Sequence, residues 1–271
     1  MRNLLKYEFR KLFRNPLFYI LFGVMVFMIV IQTATYRIMN DLVAPLMEGI
    51  DEQNEVISVM TASSNQLFMQ CLNQSQGVMV IAIFTVILAL SDNGGPIKNV
   101  ISRGFTRTQV FFSKYLCSLA AAMLYSVLII ALSYPIIGVI MSWPTDLPDN
   151  AILLLVGQVL AMVAMHSVFY MIAVLIGNIV GAIFANVLGP SVVALVLALV
   201  DAAAQISDKE VNVSSFWVGN LLNAFACTTD TFTMQYVTPG TTQLIIAFAM
   251  IAVYVALGIV LGTFIAKKKQ Y

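Results

Sequence analysis

Six apolar segments, each near the length of a membrane-spanning helix, restrict the fold more than any other feature of the sequence. A transmembrane helix needs about 20 mainly apolar residues, because about 30 Å of hydrocarbon must be crossed at about 1.5 Å per residue. The segments cover residues 17–35, 72–90, 115–141, 151–176, 180–200 and 243–266. Little besides Gly177 and Asn178 separates the fourth from the fifth, which indicates a tight turn between two spans or one long bent helix.

The composition agrees with a membrane-embedded chain. Of the 271 residues, 60% are hydrophobic and 10% are charged, with a mean hydropathy of +0.91. Soluble domains carry about 25% charged residues, so this chain cannot cover a water-facing surface. We therefore predict an all-α integral membrane protein with six transmembrane helices in a single domain over residues 1–271.

The cysteines and the histidine limit the metal chemistry that the chain can support. Cys71, Cys117 and Cys227 show no CxxC spacing, and His166 is the single histidine. This argues against a structural zinc or iron–sulfur site. With six spans, Cys71 and Cys227 lie on the same side, which leaves a disulfide between them open.

Charged residues predict the orientation of the spans. Basic residues precede the first segment, separate the second from the third, and follow the last: Arg2, Lys6, Arg10, Lys11, Arg14, Lys98, Arg103, Arg107, Lys114, Lys267, Lys268 and Lys269. Six spans place all of these on one side, with Arg37 and Lys209 on the other, where most acidic residues also lie. Lys and Arg accumulate on the cytoplasmic side, which predicts a multi-pass protein of the plasma or inner membrane with both termini in the cytoplasm.

Residues 1–16 have the pattern of an amphipathic helix. Leu5, Phe9, Leu12 and Phe13 share one face at a period of 3.6, and basic residues occupy the rest. Such a helix lies in the headgroup layer, and the Pro that follows Asn15 ends it. The alternative is an ordinary basic flank of a membrane anchor.

The segment between the second and third spans contains signals for two helices. Asp92 is a helix-capping residue, Pro96 suits a first helical turn, and Gly104 suits a helix terminator. A short helix is predicted between them, and a second helix is predicted to start near Thr106 and to run through Lys114 into the third span. Short helices with exposed apolar residues usually dock onto another protein.

These features resemble the ABC-2 type permeases, the membrane subunits of ATP-binding-cassette exporters. The matching loop pattern consists of Asp92, Gly95, Ile97, Lys98, Asn99, Arg103, Gly104, Arg107, Phe111, Ser113 and Lys114. The resemblance implies that residues 92–103 form a coupling helix that docks into an ATPase subunit, and that residues 1–16 form an interfacial elbow helix. Residues implied to act in coupling are Asp92, Gly95, Ile97, Lys98, Asn99, Val100, Ile101, Arg103 and Arg107.

The chain contains no G-x-x-x-x-G-K-[ST] sequence that could hold nucleotide phosphates. We therefore expect no bound cofactor and no catalytic residues in this chain, with ATP and Mg²⁺ bound by a separate ATPase. The resemblance implies two ATPase subunits and a permease dimer, either of identical or of different subunits. A membrane-embedded enzyme is the alternative class, but one histidine, no acid pair within the spans and no G-x-S-x-G sequence argue against it. A structural or sensory subunit stays open.

Polar and small residues within the spans indicate where substrate or a second copy could contact the chain. Gln158, His166 and Asn186 are candidates for the transport pathway, because polar side chains are costly in lipid; for His166, a packing role is the alternative. A dimer seam, also implied by the resemblance, would use the small residues Gly181, Ala185 and Gly189. For these three residues, packing within one subunit is the alternative to a dimer seam. The same two alternatives apply to Gly258 and Gly262 of the last span.

The substrate is the least constrained part of the prediction. No acidic or basic residue lies near the middle of a span, which argues against coupling to protons or sodium. The apolar, Met-rich spans favour an amphipathic or hydrophobic substrate, and the resemblance extends to exporters of cytolytic peptides such as phenol-soluble modulins and to bacteriocin-immunity exporters. Lipids, drugs and glycan precursors stay open. A re-entrant or interfacial helix is predicted over residues 216–226, before the last span.

Overall fold

The computed structural model describes residues 2–47, 63–74, 77–91, 95–206, 214–226, 228–229, 236–237 and 239–268. Its helices, in chain order, are α1 (Arg2–Arg14), α2 (Pro16–Met47), α3 (Ser64–Met69), α4 (Cys71–Gln74), α5 (Gly77–Leu90), α6 (Gly95–Ser102), α7 (Arg107–Ile140), α8 (Ala151–Ile176), α9 (Ile179–Ile206) and α10 (Thr241–Lys268). A two-residue antiparallel ladder joins β1 (Thr228–Thr229) to β2 (Tyr236–Val237). The predicted all-helical class is thus confirmed.

Five helices are long and apolar enough to cross a membrane: α2, α7, α8, α9 and α10. Helix α8 has the bounds that the sequence predicts for the fourth span, whereas α2 and α9 continue beyond the predicted ends. Helix α7 begins at Arg107, as predicted, and runs without a break into the third apolar segment although Pro135 lies within it. The chain therefore has transmembrane helical character.

The structure describes the second apolar segment, predicted as one helix over residues 72–90, in two helical parts. Helix α5 has 14 residues, which corresponds to about 21 Å at 1.5 Å per residue. The short helices α3 and α4 precede it, and residues 75 and 76 between α4 and α5 lie outside the described part. Ile81, Phe84 and Val86 of α5 are fully buried, so this short helix is enclosed by its neighbours.

A tight turn joins α8 to α9, which decides between the two alternatives for this junction. Gly177 adopts φ of 72° and donates its N–H to the carbonyl of Ala173 at 2.9 Å. Glycine takes this left-handed conformation without steric cost and commonly ends helices in this way. The Asn178 side chain then accepts a hydrogen bond from the N–H of Val180, at the start of α9. Two helices are present here, and a single bent helix is not.

Helix α8 occupies the centre of the described helices and contacts α5, α7, α9 and α10. Its closest neighbour is α10, because a side chain at Gly258 would lie 2.8 Å from the backbone carbonyl oxygen of Ser167. Helices α1 and α2 pack against α7. The aromatic rings of Phe18, Phe84 and Tyr125 meet where α2, α5 and α7 converge, and the Tyr125 hydroxyl donates to the Phe18 carbonyl at 2.6 Å.

The helix predicted over residues 216–226 is not formed. Three 3-10 turns, Ser214–Phe216, Val218–Asn220 and Asn223–Phe225, take its place. The segment is shaped by what it packs against, because the ring of Phe225 fills the space above Gly157, where any larger side chain would overlap it. Cys227, which the sequence allows to pair with Cys71, lies outside the described residues, and Cys71 is a buried free cysteine.

Candidate functional site

The N-terminal helix, the α5–α7 connection and the end of α10 come together at one end of the molecule, which we call the basic end. Here Lys11 Nζ donates to Ser91 Oγ at 3.2 Å, and Arg107 Nη1 donates to the carbonyl oxygen of Lys267 at 3.3 Å. In the described residues, the opposite end carries Asp41, Asp146, Asp149 and Asp201 together with Arg37. The separation of charges read from the sequence therefore corresponds to the two ends of the folded chain.

Local sequence signals account for the helix–turn–helix at the basic end. Pro96 stands in the first turn of α6, a position at which the missing N–H of proline is tolerated. Gly104 follows the end of α6 with a φ of 90°, and its N–H donates a hydrogen bond to the carbonyl oxygen of Ile101 at 2.9 Å. Thr106 and Gln109 then form a reciprocal capping box at the start of α7. The two helices are thus joined by a short turn of defined geometry.

The described residues among those predicted to act in coupling lie on α6, in the turn after it and at the start of α7. Asn99, Arg103 and Arg107 are exposed, and Val100 and Ile101 are half-buried. Gly95, Ile97 and Lys98 belong to α6, whereas Asp92 lies outside the described residues. Within residues 92–103 the structure has a helix from Gly95 to Ser102, and its role in coupling stays a prediction. The contact of Arg107 with the end of α10 has no signal in the sequence, although a cation at a helix C-terminus is electrostatically favourable.

Helix α1 forms as predicted, and its buried face overlaps the predicted one only in part, since Leu5 and Phe9 are half-buried. Leu12 is buried as expected, but Leu4 is buried with it and Phe13 is exposed. The apolar face was predicted from helical periodicity alone, whereas the face that is buried also depends on the packing of α1 against α7. The exposed apolar side chains of α1 that remain are Tyr7 and Phe13.

Gln158, a predicted pathway residue, joins two irregular segments to α8. Its Nε2 donates to the carbonyl oxygen of Met69 at 2.6 Å and to that of Phe225 at 3.3 Å. Met69 ends α3 and Phe225 ends the last 3-10 turn, so both carbonyls lie where regular helical bonding stops. The Gly157-Gln158 pair therefore fixes both segments at the end of the molecule opposite the basic end.

His166 makes a second internal contact, between α8 and α7. Its Nε2 lies 2.9 Å from Ser118 Oγ, and both residues are fully buried. One turn away, the Tyr115 hydroxyl bonds to Ser167 Oγ at 2.7 Å. Among the described residues, Nδ1 of His166 has no hydrogen-bond partner. The packing role considered for His166 fits this geometry.

Asn186 and the small residues of α9 differ in their surroundings. Asn186 is buried and donates to the Phe169 carbonyl at 3.0 Å, which links α9 to α8. A side chain at Gly181 would approach only Ile176, and one at Gly189 would meet nothing within 4 Å. Ala185 is half-buried. Large apolar side chains are exposed along this helix: Ile179, Val180, Phe184, Leu188, Val192, Leu195, Val196, Leu199 and Val200.

Gly258 and Gly262 of α10, in contrast, pack within the chain. A side chain at Gly258 would meet the Ser167 backbone, and one at Gly262 would lie 2.7 Å from the ring of Phe111. The alternative of packing inside one subunit therefore holds for these two glycines.

Comparison of the sequence with models of protein families and with curated proteins finds no match to either.

Proposed function

We propose that the chain is the membrane-spanning subunit of an ABC-2 type exporter, driven by ATP hydrolysis in a separate subunit. The observation that carries this proposal is the short helix α6 at the basic end, with Asn99 exposed on it and Arg103 exposed directly after it. A docked ATPase would contact this surface. Its movement would pass through the Gly104 turn to α7 and, through the Arg107–Lys267 hydrogen bond, to α10.

The proposed topology has six spans, α2, α5, α7, α8, α9 and α10, with the basic end and both termini in the cytoplasm of a cell-membrane protein. The basic residues at that end support the orientation. Helix α5 is shorter than the hydrocarbon layer, but its burial among other helices and the preceding helices α3 and α4 compensate for its length. Helix α1 would be the elbow helix at the membrane surface.

The proposed assembly contains two copies of this chain and two ATPases, which would bind the ATP and Mg²⁺. Support for the dimer comes from α9, whose apolar side chains are almost all on the outside of the single chain. Cysteine cross-linking tests the seam: Leu188→Cys should give a covalent dimer in membranes, whereas Ile152→Cys, exposed on α8, should not. Equal cross-linking of both variants, or of neither, would contradict a seam along α9.

The proposed substrate is an amphipathic or hydrophobic molecule, with a cytolytic or antimicrobial peptide as the leading candidate. The apolar composition and the absence of acidic or basic residues near the middle of the spans support this class. An exported lipid, drug or glycan precursor is the alternative.

Affinity purification from native membranes tests the function. The tagged chain should retain an ATPase, measured as phosphate release from ATP in the eluate. Arg103→Glu should lower the retained activity about tenfold, because it reverses a charge on the proposed docking surface. Arg37→Glu makes an equal charge reversal at the opposite end of the molecule, and it should leave the retained ATPase activity unchanged. Failure of the unmodified chain to retain any ATPase would overturn the proposal.

A further inference from the structure

A cavity of about 380 Å³ lies at the basic end, between α1, α6 and the start of α7. Its volume falls in the range of about 300–1,000 Å³ that is typical of sites for small molecules. Residues from three separate elements line it, including Tyr7 and Glu8 of α1, Arg103 and Phe105 of the turn after α6, and Lys114 of α7. Its wall is therefore assembled only when α1 packs against the helix–turn–helix.

The charged groups of the wall favour an anion. Lys114 is 5% exposed, an unusual degree of burial for a lysine, and Arg103 is at the exposed rim. With the carboxylate of Glu8, the three groups sum to one formal positive charge, which matches a monoanion. The amides of Asn3 and Asn99 add hydrogen-bond donors. Leu4 and Val110 give the same cavity an apolar side.

We propose that this cavity binds a phosphate diester that carries a hydroxylated or apolar group. An arginine guanidinium and a lysine ammonium are the side chains best suited to phosphate oxygens, and the Glu8 carboxylate could accept a hydrogen bond from a headgroup hydroxyl. This chemistry occurs in anionic phospholipids such as phosphatidylglycerol and in soluble glycerophosphodiesters. The existence of this binding site does not depend on the proposed export function. A bound molecule would contact α6 and α1 at the same time.

Binding to the purified full-length chain in detergent tests the proposal. Dihexanoyl phosphatidylglycerol, dihexanoyl phosphatidylcholine and soluble glycerophosphoglycerol are titrated separately, and bound ligand is counted by native mass spectrometry. We expect saturable binding of an anionic probe, with at least tenfold weaker binding of the zwitterionic one. Arg103→Gln should weaken binding about tenfold, which is the loss of one charge-assisted hydrogen bond. Asn99→Trp should abolish binding by filling the cavity.

Lys268→Gln is the matched control, because it removes one positive charge at the same end but outside the cavity wall, and it should leave binding unchanged. Arg103, Asn99 and Lys268 are exposed, so these variants should fold, which their melting temperatures check. If only the anionic lipid binds, and Arg103→Gln and Asn99→Trp weaken its binding, the site is assigned to a membrane lipid. If the soluble diester binds, the site is assigned to a cytosolic ligand. Both results support the site. Binding by neither anionic probe, equal effects of Arg103→Gln and Lys268→Gln, or unchanged binding by Asn99→Trp would overturn it.

Discussion

Helices α8 and α9 are adjacent in the chain and almost equally apolar, yet they lie in opposite environments. The most apolar stretch has a mean hydropathy of 2.3 in α8 and of 2.4 in α9. Of these stretches, 56% is buried in α8 and 6% in α9. Hydropathy therefore identifies both as membrane helices, because each can be surrounded by lipid, but it carries no information on which of them lies at the centre.

The distinction comes from small and polar residues. Helix α8 presents Gly157, Ala161 and Ala164 to its neighbours and uses Gln158 and His166 for bonds to other elements. Close approach of helices in lipid depends on such small residues, because lipid tails compete equally well for contact with large apolar side chains. Helix α9 has its large side chains on the outside and contributes Asn186 as its buried polar contact to α8.

The largest expected effect is at the α8–α10 contact. Gly258→Leu should lower the free energy of unfolding of the detergent-solubilised chain by about 3 kcal/mol, because its Cβ would lie 2.8 Å from the Ser167 backbone. Gly189→Leu on α9, which meets nothing within 4 Å, is the matched control and should leave the monomer's stability nearly unchanged. Unfolding in increasing SDS measures both. Equal losses would show that α9 is as tightly packed as α8.

A smaller loss is expected when Gln158 is replaced. Gln158→Met keeps the side-chain length but removes the donor to the carbonyls of Met69 and Phe225, which should cost about 2 kcal/mol in the same unfolding measurement. Proteolysis within residues 63–74 and 214–226 should become faster, because both segments lose this attachment. Unchanged proteolysis would mean that other contacts position these segments.

Asn186 should contribute less than Gln158. Asn186→Leu removes one hydrogen bond to a carbonyl within α8, and single bonds between membrane helices average about 0.6 kcal/mol. When the two variants are unfolded in the same SDS assay, Asn186→Leu should lose less free energy of unfolding than Gln158→Met. A loss from Asn186→Leu as large as that from Gln158→Met would remove the proposed difference between the two helices.

The smallest effect is expected on the outer face of α9. Leu195→Ala should change the stability of the detergent-solubilised monomer by less than about 0.5 kcal/mol, because Leu195 is exposed in the single chain. The same unfolding assay measures this change, at a protein concentration that excludes dimers. A larger loss would indicate that the outer face of α9 packs against the rest of the chain, contrary to the structure.

The helical membrane class, the bounds of α8 and the turn at Gly104 follow from the sequence alone, which left a tight turn or one bent helix open at Gly177. These features depend on short-range physics: apolar length, the positive φ available to Gly104 and Gly177, and the Thr106 capping box. The separation of charge between the two ends also follows from the order of residues along the chain.

Tertiary packing decides which apolar helix is central and which irregular segments are fixed to it. The 3-10 turns in place of a helix and the burial of Leu4 instead of Phe13 both depend on partners distant in sequence. Met69, Gln158 and Phe225 meet through hydrogen bonds that no local pattern encodes. The cavity at the basic end likewise exists only because α1 and α7 are brought together by folding.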